Sequence, residues 1–230
     1  MRQYINDEKV PYDKSTQELI AMLDVPSLFH VACEALSYKS DELSLTTLMA
    51  IIEDDDPFKR RIGVECLGNN AKFDKVLDHL IICLDDKSPY VVRISIEMMV
   101  KHHVIKSHEK IILLLQSKDE LTREAAVSAL EYISKPSDFD VVLKLLSDRN
   151  KKVRNRVPYI LLATANESNW RKAYNVMKHS ENDKSRLYAC YLLNAFGTKE
   201  ERDDAKTFLY DKNGHIRKFA SKMSNENSTL

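Results

Sequence analysis

The chain has 230 residues, and its 35 basic side chains balance 35 acidic ones, so it carries no net charge that would draw it to nucleic acid or an anionic membrane. Hydrophobic residues at 43% suffice for a continuous core, and only four glycines and six prolines imply long helices joined by short turns. The charge is unevenly spread: residues 1–115 hold 14 basic and 19 acidic side chains, residues 116–230 hold 21 and 16.

In chain order, residues 1–14 read as a polar arm. Their lack of an apolar core segment, and of any run of membrane-spanning length, predicts a cytoplasmic protein with no membrane contact. Ser15 opens a helix, with Glu18 completing a capping box, and Leu19, Ile20 and Leu23 line one face before a close near Asp24. A turn at Pro26-Ser27 leads to a helix over 28–36, and its partner covers 41–52. From there two kinds of helix alternate. The A helices are expected near 57–69, 89–101, 120–133, 151–164, 183–196 and 215–223. The B helices are expected near 73–85, 107–116, 138–147, 168–178 and 199–210. Asp56-Pro57 and Ser88-Pro89 supply a capping side chain before a proline at the first helical position, Thr198 and Glu201 form a second capping box, and Gly197 and Gly214 fall where a helix stops. Pro158 lies inside an A helix, which predicts either a kink or a late start near Asn155. Residues 224–230 read as a polar tail.

One word recurs in the A helices. Arg61, Arg93, Arg123, Arg154, Arg186 and Arg217 follow one another at 32, 30, 31, 32 and 31 residues, and His30 stands 31 before the first. A fixed period of this length marks a helical repeat array, here over 15–223. Three residues after the arginine stand Cys33, Val64, Ile96, Ala126, Val157, Ala189 and Ala220. Six after it stand Leu36, Leu67, Met99, Ala129, Ile160, Leu192 and Met223, so these two columns form the buried face of each A helix. No single pair can bury that face alone, and stability must come from stacking.

The acidic turns with their arginines (Asp86 with Val92-Arg93, Asp148 with Val153-Arg154, Asp211 with Ile216-Arg217) resemble the HEAT-like repeats, particularly the short variety of phycobilin lyase subunits and free-standing bacterial proteins. The resemblance covers roughly residues 16–223 and implies an all-α fold, an α-α superhelix or HEAT-like solenoid of about seven two-helix repeats. It also implies a ladder of acids and arginines holding neighbouring turns in register. The rungs expected here are Asp55, Arg61, Asp86, Arg93, Arg123, Asp148, Arg154, Arg186, Asp211 and Arg217, weakest where Lys87, Ser117 or Ser180 replaces the acid, unless Asp86 or Asp119 substitutes. It implies further that the B helices build the inner, concave surface.

No phosphate-binding glycine loop, nucleophile elbow or zinc-protease word is present, so no catalytic residue, metal or cofactor is assigned and the chain reads as a non-enzyme. The run Glu53-Asp54-Asp55-Asp56 reads as capping, His102, His103 and His108 as solvated loop residues, and Trp170 as core. Cys33, Cys66, Cys83 and Cys190 lack metal-type spacing and read as buried thiols in a reducing compartment. The basic cluster Arg149, Lys151, Lys152, Arg154 and Arg156, with Arg171, Lys172 and Lys178, reads as a solvated helix end interleaved with acids. On the B helices, Asp78, Glu109 and Asp140 fall in one column ending at Arg171, with His79, Lys110, Lys144 and Lys172 beside it. This stripe is the expected contact surface for a protein partner with a basic segment. The resemblance leaves three rivals: a DNA glycosylase for alkylated bases, which a neutral chain with one tryptophan disfavours together with nucleic acid binding in general; a bilin lyase; and an immunity protein or antitoxin.

Overall fold

The computed structural model describes residues 9–70 and 73–228. The expected polar arm therefore lies outside the described residues over 1–8, and the tail over 229–230. The helices are α1 (Thr16–Met22), α2 (Phe29–Ser37), α3 (Glu42–Ile51), α4 (Pro57–Gly68), α5 (Phe73–Ile82), α6 (Pro89–Lys101), α7 (His108–Leu114), α8 (Glu120–Ile133), α9 (Phe139–Lys144), α10 (Lys151–Thr164), α11 (Trp170–Met177), α12 (Asp183–Phe196), α13 (Lys199–Arg202) and α14 (Gly214–Ser228), and no strand occurs among the described residues. Even-numbered helices from α2 onward are the A type, and odd-numbered ones from α3 the B type. The chain divides into two compact units, residues 1–126 and 127–230, with the division inside α8.

The A helices start and stop within a residue or two of expectation except at the end of the chain, where α14 runs on to Ser228. Both capping boxes form, with the Ser15 hydroxyl accepting from the Glu18 amide and the Thr198 hydroxyl from the Glu201 amide. The B helices are shorter than their sequence pattern and tighten into 3-10 turns, over Cys83–Asp85, Leu145–Ser147 and Asp203–Tyr210 at their ends and over Ile105–Ser107 and Pro136–Asp138 at their starts. Tightening lets the last carbonyls find partners while the chain reverses within a few residues.

Four local expectations need correction. Gly214 is the first residue of α14 and not a helix stop, because Asn213 ahead of it accepts the His215 amide and caps a new helix. Ser88 makes no side-chain cap; the Asp86 carboxylate two residues earlier takes the Ser88 amide instead. Pro158 does not delay α10, which begins at Lys151 and carries the proline buried in its interior. His102 and His108 are not solvated: Nε2 of His102 donates to the Gly68 carbonyl at 2.6 Å, and His108 is buried. His103 alone is exposed, with φ 53 at the end of α6.

In the first unit the core runs from Leu19 through Phe29, Leu36, Leu48, Leu67 and Leu80 to Val91 and Met99. Residues 9–14 are not a free arm there, since Val10 packs on this core, the Tyr12 hydroxyl donates to Glu34 at 3.1 Å, and Lys39 donates to the Tyr12 carbonyl at 3.0 Å. Gly68 is required by a close helix approach: a methyl group on it would overlap the Met98 side chain of α6. In the second unit Val157, Ile160, Leu161, Leu192, Leu193 and Ala220 are buried. Trp170 joins them, stacked on Phe196 at 6.4 Å. Every residue of the two columns counted from the arginines is buried, and each large aliphatic among them contributes about 1.5–3 kcal/mol. All four cysteines are free and buried. Burial pushes the Cys83 thiol up to about 11 and that of Cys190 up to about 12, while a hydrogen bond with Cys33, together with burial, raises Cys66. They are inert thiols.

Candidate interaction site

The turn that precedes each A helix from α4 onward is built the same way. An Asp or Ser accepts the amide two residues on: Asp54 from Asp56, Asp86 from Ser88, Ser117 from Asp119, Asp148 from Asn150, Ser180 from Asn182 and Asp211 from Asn213. In most of these turns the second side chain then caps the helix, as Asp56, Asn150, Asn182 and Asn213 do toward Phe58, Lys152, Lys184 and His215. Short polar side chains suit this because they can replace backbone partners locally. The acidic run at 53–56 is thus capping, as its sequence implies.

In five of these turns, all but the one headed by Asp86, the arginine that locks the turn comes six residues after its first side chain. Nη1 of Arg60, Arg123, Arg154, Arg186 and Arg217 donates in each case to the carbonyls six and five residues earlier. The other edge of the guanidinium can reach the next turn. Arg60 grips Asp86 at 2.8 and 2.9 Å, and Arg186 grips Asp211 at 2.7 and 3.0 Å. The bonds to Arg186 hold Asp211 below the usual carboxylate range, and burial opposes them without prevailing. At Asp86 burial pushes upward, but Arg60 and the Ser88 amide together outweigh it and the carboxyl is lowered.

This places the ladder one residue away from the expected arginine in the first repeats. Arg61 turns outward to Glu65 on its own helix at 3.3 Å, and Arg93, 45% exposed, pairs with Glu97 at 3.4 Å. Each residue advances about 100° around a helix, so a one-residue slip moves a side chain off the inter-turn edge. The position that corresponds to Arg60 in α6 is the buried Val92, and Asp54 rather than Asp55 heads the turn that Arg60 locks. The missed signal was in the sequence. The Asp/Ser-x-Asp/Asn/Ser words fix the register that counting arginines alone blurs.

The predicted contact stripe on the B helices is exposed at Asp78, Glu109, Asp140, Lys144, Arg171 and Lys172, with His79 and Lys110 half-buried. In the second unit much of it is paired internally. Lys172 donates to Asp140 at 3.0 Å, so Lys172 and not Arg171 continues that column, while Arg171 forks onto Glu201 at 2.6 and 3.0 Å and lies over the Trp170 ring. That fork holds Glu201 below its ordinary value. Lys178 meets Asp204 at 2.9 Å, and Arg156 meets Glu131 at 2.8 Å, so these two and the pairs of Arg171 and Lys172 interleave half of the basic cluster with acids. In the first unit Lys110 joins α7 to the end of α5, donating to the Ile81 carbonyl at 3.4 Å and to Asp85. Asp78 and Glu109 form no ion pair among the described residues. Beside them, one turn on, sit Ile82 at 66% and Leu113 at 68% exposure. Sequence reasoning passed over these two apolar side chains.

No group of metal-binding residues and no helix long and apolar enough to cross a membrane occurs among the described residues. No protein-family profile and no curated protein matches the chain. Solved structures do. YibA of Escherichia coli is 20% identical with a TM-score of 0.61, the match covering 93% of each chain. The archaeal HEAT-like repeats protein from Thermococcus onnurineus is 17% identical with a TM-score of 0.58, over 94% of this chain and 98% of that one. A computationally designed armadillo repeat protein for modular peptide recognition is 17% identical with a TM-score of 0.56, over 79% of this chain and all of the other. By fold, then, the chain is similar to the HEAT-like and armadillo repeat proteins, an all-α superhelix class.

Proposed function

We propose that the chain is a protein-binding scaffold and that the B-helix face of the first unit, on α5 and α7, receives a partner segment that is both basic and apolar. The observation that carries this reading is the combination on successive repeats of an acid without an ion pair and an exposed aliphatic one turn later, Asp78 with Ile82 and Glu109 with Leu113. Exposed aliphatics in register supply the desolvated area that holds a peptide, while unpaired carboxylates fix its direction and exclude acidic competitors. His79 and Asp85 flank this strip. In the second unit Asp140 pairs with Lys172 and Arg171 with Glu201, so these residues, and Lys144 beside them in the sequence, contribute less because a ligand there must displace an internal partner. The fold has precedents: designed armadillo proteins include one for modular peptide recognition and one in complex with the peptide (KR)4.

The test is fluorescence anisotropy with a capped peptide alternating lysine and leucine. Joint reversal of Asp78→Lys and Glu109→Lys is expected to weaken binding about tenfold or more, because both ion pairs are lost and replaced by repulsion. Asp140→Lys should change it little. Equal binding by wild type and the double variant, with helicity intact by circular dichroism, would remove the proposed face.

A further inference from the structure

Among the arginines that face a following turn, Arg154 stands apart. Arg60 faces Asp86 and Arg186 faces Asp211, but the turn that shares a groove with Arg154 begins with Ser180. The other serine-headed turn, at Ser117, follows Val92, so there the serine meets no arginine and nothing is left over. Among the described residues, Arg154 keeps the guanidinium while the facing carboxylate is absent.

The guanidinium is already held in position. Nη1 of Arg154 donates to the carbonyls of Asp148 and Arg149 at 2.5 and 3.0 Å, the same two bonds that orient Arg60 and Arg186 toward their aspartates. Because the group is planar, these bonds aim its Nε and Nη2 edge at the next turn. Arg154 forms no ion pair among the described residues. A groove of about 740 Å³ opens at this place within the second unit, lined by Arg154 and Ser180 with Lys151 and Lys184 from the first turns of α10 and α12. Asn155 and Asn182 on its wall are tied to each other at 2.7 Å. Of the two acids on the rim, Asp183 is engaged by Arg186 and Asn213, at 2.6 and 3.0 Å, and so does not supply the missing group. Glu181 is exposed, and its carbonyl is taken by Arg186.

We infer that this groove is a carboxylate-binding site, in which an incoming carboxylate takes the place on Arg154 that Asp86 and Asp211 hold on Arg60 and Arg186, with Lys151 and Lys184 as flanking charges. The ligand is either an acidic side chain of a partner or a free carboxylate, and the chemistry at Arg154 is the same for both. The site is separate from the acidic B-helix strip and of opposite charge, so it stands or falls independently of that reading.

The test is calorimetric titration of the full chain with a capped tetraglutamate peptide, with succinate and with inorganic phosphate. It is repeated on Ser180→Asp, which supplies the absent rung from within, and on Arg154→Gln. Wild type is expected to bind a carboxylate probe, and both variants to bind it about tenfold or more weakly, the size of one charge-assisted fork. The aspartate variant should stay folded, since aspartate already occupies this turn position elsewhere. Peptide binding without succinate binding identifies an acidic segment as the ligand, and comparable binding of both identifies a free carboxylate. Phosphate binding alone, no binding at millimolar concentration, or binding that survives Ser180→Asp would overturn the inference.

Discussion

The groove between successive turns occurs in both units, and its two versions differ in charge. In the first unit it is lined by Glu53, Asp54, Asp55, Asp85 and Asp86 against Arg60 and Lys87, and the Arg60–Asp86 rung closes it. In the second it is lined by Lys151, Arg154 and Lys184 against Glu181 and Asp183, and Ser180 leaves the rung open. One backbone device, a capped turn locked by an arginine, thus serves two surfaces of opposite sign. The B-helix faces show the reverse economy: unpaired acids with exposed aliphatics in the first unit, internally paired charges in the second. The lesson is that the repeat dictates where side chains point, while single substitutions at fixed positions decide what each stretch attracts.

The largest effects should come from breaking closed rungs. Side chains of Arg186 and Asp211 are 9% and 7% exposed, so Asp211→Asn removes the buried partner of this guanidinium, leaves it only the half-exposed Asp183, and is expected to lower stability by about 3 kcal/mol in urea denaturation. Arg60 and Asp86, at 15% and 11%, should behave similarly in the first unit, whereas Arg154→Gln removes only carbonyl bonds and should cost about 1 kcal/mol. An equal loss at all three arginines would erase the distinction between closed and open rungs.

Acid should act next. Asp86 and Asp211 are depressed in the folded state, so the stability they provide is fully present above the unfolded carboxylate value of about 4 and is lost as pH falls through their lower folded values. Denaturation midpoints measured from pH 6 downward should therefore fall less steeply in Asp86→Asn and Asp211→Asn than in wild type. Parallel curves would mean that the rungs do not titrate with folding. The mildest change is expected from Asp140→Lys, because its exposed pair with Lys172 contributes about 0–1 kcal/mol.

Much of this was legible in the residues. A period near 31, small and aliphatic residues three and six after the arginine, and sparse glycine and proline are enough to place the A helices and their buried face. Trp170 and the four cysteines were also readable as core, because each lies in an apolar helical pattern. The ladder was harder. Arg60 and Arg61 are adjacent, and a spacing argument that tolerates gaps of 30 to 32 cannot choose between them; only the hydrogen bonds to Asp54 and Asp55 do. The stripe slipped for the same reason, since Arg171 and Lys172 differ by one position and opposite partners claim them. Ile82 and Leu113 were not legible as surface, because an aliphatic at a B-helix end reads as core until the packing of its neighbours is known.

At Arg60 and Arg186 one arginine joins its turn to the next, and at Arg154 the same junction lacks only its carboxylate. A double-mutant cycle on Ser180→Asp and Arg154→Gln, read by urea denaturation, measures it most directly. Ser180→Asp is expected to stabilise the wild-type background and not the Arg154→Gln background, with a coupling energy of about 1 kcal/mol or more. A coupling energy of zero would mean that Arg154 does not face residue 180 as Arg60 faces Asp86, and would contradict that expectation.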